Sequence, residues 1–169
     1  MRHFKRVGLS AATGMAALLV CSSPASAASG PGAGSISGRE QVFDLVATQT
    51  QGSPLIDVDD SSGPSQGEEF VQSGNLFYGG AVVGTYGQTC TLTRTAPADE
   101  FDMQCVADIS LPTWGQITAQ GRFTVTAAGP GDIDFAITGG TGVYRTARGT
   151  IHAVRVSDTE THLTVRLIR

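Results

Sequence analysis

The chain has 169 residues, 15 acidic against 11 basic side chains, and a single lysine, Lys5. An acidic surface repels phosphate backbones and anionic lipid, so nucleic-acid and membrane-surface partners are not expected. That lysine lies in an amino-terminal segment expected to be removed on export, which excludes Schiff-base chemistry and a lysine-bearing phosphate loop as well.

Residues 1–27 read as a secretory signal peptide. Arg2, Lys5 and Arg6 give a cationic start, Val7 to Val20 a short apolar run, and Ala25-Ser26-Ala27 a small-residue cleavage site. Cys21 lacks the preceding small residue that a lipid anchor requires, because Val20 stands there. The expected product is a released, extracellular protein beginning at Ala28, with eight arginines and a net charge of −7. Residues 28–39 are nearly all Ser, Gly, Ala and Pro, without periodic apolar content, and form the expected disordered leader. Residues 40–169 then suit one domain with one core.

From Glu40 onward no segment shows apolar spacing of three and four, whereas alternation with period two recurs, as in Ile133, Phe135, Ile137 and in Leu163, Val165, Leu167. Turn residues divide the chain into strands near 41–50, 68–78, 81–94, 101–112, 115–127, 132–138, 143–156 and 161–168. The class is all-β, and eight antiparallel strands suit a closed barrel that leaves no exposed edge. A two-sheet sandwich has the same local signals.

Cys90 and Cys105 are both expected in the exported chain, where a pair of cysteines forms a disulfide. In a hairpin turning at Pro97-Ala98 the two are cross-strand neighbours. The same register sets Leu92 beside Met103 and Arg94 beside Phe101 on one face. Thr91, Thr93, Asp102 and Gln104 fall on the other.

Several glycine-centred segments recur in a telling order: Gly52-Ser53-Pro54, Gly67-Glu68, Ser73-Gly74-Asn75-Leu76-Phe77, Cys90, Gly115-Gln116-Ile117, Ala119-Gln120-Gly121 and Thr138-Gly139-Gly140-Thr141-Gly142. In this order the chain resembles the plant allene oxide cyclases, over nearly all of residues 40–155. The Gly139–Gly142 turn with Arg145, Ala147, Arg148 and Gly149 also resembles that of dirigent proteins. The resemblance implies an eight-stranded antiparallel barrel of calycin type, commonly a homotrimer, whose interior holds a small apolar molecule without metal or organic cofactor. It further implies a first-strand carboxylate, which falls on Asp44 if one extra residue separates it from Gly52-Ser53-Pro54 and otherwise on Leu45. A water would be held near Ser53 and Pro54. The amide position aligns with Gly74, with Asn75 one step away, and the aromatic position is Phe123, which lacks a tyrosine hydroxyl.

Asp44 is therefore the catalytic candidate, since burial would raise its pKa and suit it to proton transfer. Strict alternation with Phe43 and Leu45 would instead turn it to solvent. Trp114 is a candidate for the cavity mouth or for packing, and Tyr78 and Tyr86 offer ligand-facing hydroxyls. Asp57, Asp59, Asp60, Glu68 and Glu69 gather in one loop, but Gly63 falls at the seventh place of the run and not the sixth, so an EF-hand is not formed and a solvated loop is expected. His152 and His162 stand without ligand spacing, and no metal site is expected.

Three functions follow as alternatives. The chain is a secreted barrel directing isomerisation or cyclisation of an apolar or aromatic molecule, a dirigent-like or carrier protein that binds without catalysis, or a structural barrel filled by its own side chains.

Overall fold

Alternating apolar and polar residues can bury one face either between two packed sheets or by curling until that face is enclosed, and the chain takes the second course. The computed structural model describes residues 39–60, 62–97 and 100–168; the expected signal peptide and nearly all of the expected leader lie outside them. The strands are β1 (Glu40–Gly52), β2 (Glu69–Tyr78), β3 (Ala81–Ala96), β4 (Glu100–Leu111), β5 (Gly115–Val125), β6 (Ile133–Gly140), β7 (Arg148–Arg155) and β8 (Glu160–Ile168). Each pairs antiparallel with the next, and β1 pairs with β8 from Glu40 opposite Ile168 to Thr48 opposite Glu160. That last pairing closes the barrel and rules out the sandwich.

Inward positions are odd-numbered in β1 and β4 to β8 and even-numbered in β2 and β3, and they carry the core: Leu45, Leu76, Leu92, Met103, Ile117, Val165 and Leu167 are each at most 3% exposed. Gly79 (φ 56°) and Gly80 (φ 83°) make the left-handed two-residue turn between β2 and β3. Gly74 is required for a different reason. A Cβ there would run into the Thr48 carbonyl of β1, so only glycine lets these two strands close.

The seventh strand starts at Arg148, later than expected, because Gly142–Tyr144 forms a 3-10 turn. This turn seals one end of the barrel. Thr141 N–H donates to the Gln116 carbonyl (2.9 Å), its Oγ1 accepts from Gln116 N–H (3.0 Å), and Val143 N–H donates to the Trp114 carbonyl (3.0 Å). Tyr144, 2% exposed, is thereby fixed in the core.

Cys90 and Cys105 are opposite each other and bonded, both fully buried. The expected register holds as far as Leu92 opposite Met103 and then shifts. Thr93 is an extra residue, so Arg94 pairs with Asp102 and not with Phe101. The shift places Arg94 outside, where its Nε donates to Asp102 Oδ2 at 2.5 Å. Arg122 also donates to that oxygen and Thr124 Oγ1 to Oδ1 (2.7 Å), so an outward carboxylate only 2% exposed is fully satisfied. These bonds, Arg94's first, hold the Asp102 carboxyl well below the usual carboxylate range.

Candidate functional site

The sealed end is filled by Tyr144, Leu111 and Ile117, but the other half of the interior is not. A cavity of about 390 Å³ occupies it, opening among the loops that join β1 to β2, β5 to β6 and β7 to β8. This is the size range of small-molecule sites.

The walls differ in character. Strands β4 to β7 present Phe101, Met103, Phe123, Ile133, Phe135 and Ile151, an apolar and largely aromatic surface. Strands β1 to β3 present Gln49, Gln72, Tyr86 and Gln88. Gln72 and Gln88 are directly opposite, with Gln72 Nε2 donating to Gln88 Oε1 (3.3 Å), and Gln88 Nε2 lies 2.8 Å from the Cys90 sulfur. Gln49 and Tyr86 are each paired in register with Gly74, which has no side chain to separate them. Burial pushes the Tyr86 phenol above its ordinary pKa, so it is a neutral hydroxyl at physiological pH. Among the described residues the only charged ones in the wall are Arg155 and Asp158 at the rim, 3.3 Å from each other.

Of the residues expected at a ligand, Phe123 and Tyr86 line this cavity. Asp44 does not. It is exposed on the outer face and accepts a hydrogen bond from Thr164 Oγ1 (2.8 Å), while Leu45, 3% exposed, is the inward residue. Strand alternation overrides the one-residue gap, so the carboxylate expected in the cavity is outside it. Asn75 also points outward, one step from the inward Gly74. Ser53 binds the neighbouring strand, accepting from Val71 N–H (2.9 Å) at Oγ and donating its own N–H to the Val71 carbonyl (2.8 Å). Pro54 is exposed beside Leu55, which does reach the cavity. Trp114, 56% exposed, sits in the turn between β4 and β5 at the sealed end, so it cannot line the mouth. Tyr78 is 58% exposed at the end of β2.

The loop acids Asp57, Asp59 and Glu68 bring one oxygen each within 4.8 Å of one another. Their hydrogen bonds order the loop itself: Asp57 Oδ1 accepts from the backbone of Asp59 (3.0 Å) and Asp60 (2.9 Å), and buried Glu68 accepts from Ser65 Oγ (2.9 Å). The histidines are less isolated than their spacing suggests. His152 Nδ1 lies 2.9 Å from Asp134, across the β6–β7 pair, and His162 Nε2 lies 3.0 Å from Glu160, both on the outer face.

The glutamines of the polar wall were not singled out in the sequence, although a signal was present. Phe70, Gln72, Gly74 and Leu76 share one face of β2, and a glutamine alternating with buried apolar residues faces the interior. Chemically, the cavity can enclose an apolar body, exclude water from it and offer neutral hydrogen bonds to one side. Among the described residues, its inner walls below the rim carry no acidic or basic side chain.

Residues 28–167 match the family described as the allene oxide cyclase barrel like domain. No curated protein matches the chain. Among solved structures, a pyocyanin demethylase is similar at 25% identity and a TM-score of 0.63, over 75% of this chain and 99% of that one. An exo-specific intermolecular Diels-Alderase is similar at 16% identity and a TM-score of 0.60, over 77% and 98%. A pterocarpan synthase dirigent protein is similar at 17% identity and a TM-score of 0.50, over 76% and 91%. The last two likenesses concern the fold alone.

Proposed function

The chain belongs to the allene oxide cyclase barrel-like family, and from that premise we propose that it is an exported barrel that binds a small, mainly apolar or aromatic molecule in its interior. The observation that carries this reading is the 390 Å³ cavity walled by Phe101, Phe123 and Phe135. A barrel filled by its own side chains would have no such space. Export is supported by the amino-terminal pattern and by the buried Cys90–Cys105 bond, a feature of oxidising compartments. The likeness to a protein named for the demethylation of pyocyanin adds support for a small-molecule ligand.

With Asp44 outside, proton transfer by a first-strand carboxylate does not belong to this reading. Directing an isomerisation or cyclisation remains a second reading, favoured by one observation: Tyr144 seals one end, so a flexible ligand entering at the mouth must curl. The contribution would then be conformational restriction, which can lower a barrier by several kcal/mol without a nucleophile.

Native mass spectrometry of protein recovered from its own secretion medium tests the proposal. A bound species of constant extra mass, lost on denaturation, is the expected result. Protein of bare polypeptide mass that also fails to take up any member of a library of small aromatic compounds would overturn it.

A further inference from the structure

The cavity is divided between neighbouring strands, and the division specifies more than an apolar ligand. All of its amide and phenol groups stand on β1, β2 and β3, while the wall from β4 to β7 is apolar up to Arg155 at the rim. Gln49 and Tyr86 occupy strands two apart, roughly 10 Å between backbones, with only Gly74 between them. The Gln49 backbone N–H donates to the Thr159 carbonyl (2.7 Å), but neither its side-chain amide nor the Tyr86 hydroxyl is hydrogen-bonded to any described residue. By contrast Gln72 and Gln88 are bonded to each other.

Resting on the small-molecule reading above, we propose that Gln49 and Tyr86 are the specificity-determining pair of this cavity, and that they select an uncharged ligand bearing a carbonyl or similar acceptor on one edge. An acceptor on the ligand edge that faces β1 to β3 meets two donors lining the same cavity, the Tyr86 O–H and the Gln49 side-chain amide. The rest of the ligand lies against Phe101, Phe123 and Phe135.

Two further features exclude a charged ligand. The inner wall supplies no counter-charge, and burying an unpaired carboxylate or ammonium is strongly unfavourable. At the rim, Arg155 is already engaged, donating from Nε to the Ser157 carbonyl (3.1 Å) and from Nη2 to Asp158 (3.3 Å). The phenol contributes as a neutral donor because its desolvation disfavours phenolate.

Three probes of like shape separate the possibilities: 2-acetylnaphthalene with a carbonyl, 2-ethylnaphthalene without one, and 2-naphthoate with a charge. Ligand-observed NMR titration should show the ketone binding roughly tenfold more tightly than the hydrocarbon, the size expected of a net hydrogen bond. The carboxylate should bind more weakly than the ketone. In Tyr86→Phe, and separately in Gln49→Leu, the preference for ketone over hydrocarbon should shrink while hydrocarbon affinity and the melting temperature hold. The second variant keeps the test decisive should the first disturb packing. Equal binding of ketone and hydrocarbon, tight binding of naphthoate, or an undiminished ketone preference in both variants would overturn the recognition edge. If none of the three binds, the small-molecule reading itself falls, and the edge with it.

Discussion

Reducing the Cys90–Cys105 bond is the cleanest perturbation of this barrel, because it removes one covalent constraint and no side chain. The bond joins positions 15 apart in sequence on adjacent strands. A closed loop of that length restricts the unfolded chain by about 3 kcal/mol in the chain-entropy description. The described barrel runs from Arg39 to Ile168, roughly 130 residues, for which an unfolding entropy of about 2 cal/mol/K per residue converts that value to a fall in Tm of roughly 11 °C. The assay is a pair of thermal melts on mature protein, one oxidised and one reduced in denaturant and refolded under reductant. The denaturant m-value should rise on reduction, since an unlinked unfolded chain exposes more surface. A fall in Tm below about 3 °C would refute the entropy reasoning, and free thiols in denatured, unreduced mature protein would refute the pairing.

Two further substitutions probe the outer face. Asp44→Asn removes an exposed charge whose partner is the hydroxyl of half-buried Thr164, so binding of any cavity ligand should be unchanged and stability should move by at most about 0.5 kcal/mol; a tenfold loss of ligand affinity would contradict its outward placement. Asp102 has a folded pKa depressed chiefly by Arg94 and then by Thr124 and Arg122. A depressed carboxyl stabilises the fold above its ordinary pKa of about 3.9 and loses that contribution as pH falls below it. The stability gap between the native protein and Asp102→Asn, measured by urea unfolding, should therefore be full at pH 7 and narrow below about pH 4. A gap independent of pH would show that the carboxylate's charge is not what matters.

Much of this fold was legible in the residues because each local signal depends only on near neighbours. Period-two alternation marked the strands, Gly79-Gly80 marked a tight turn, and the hairpin arithmetic brought Cys90 to Cys105. The same arithmetic failed three residues later, since nothing in Thr93-Arg94 announces the bulge, and one extra residue reverses every face beyond it. The compensation is visible only in three dimensions, where Arg122 and Thr124 of the next strand reach the outward Asp102. Asp44 is the opposite case. Its alternation with Phe43 and Leu45 already pointed outward, and only the alignment gap suggested otherwise. The polar wall combines residues from β1, β2 and β3 whose convergence depends on closure of the barrel and on the missing side chain at Gly74. No single stretch of sequence contains that arrangement.

The central claim is that ligand is held inside the barrel, on the inner face shared by Ala107 and Phe123. Ala107→Phe tests it most directly, because the added ring projects into the cavity from a position that is not tightly packed. The measurement is the affinity for 2-acetylnaphthalene of the native and substituted proteins, each with its melting temperature. Binding should weaken at least tenfold in Ala107→Phe while Tm stays within a few degrees. Unchanged affinity in a variant that remains folded would place the ligand outside the barrel and contradict the claim.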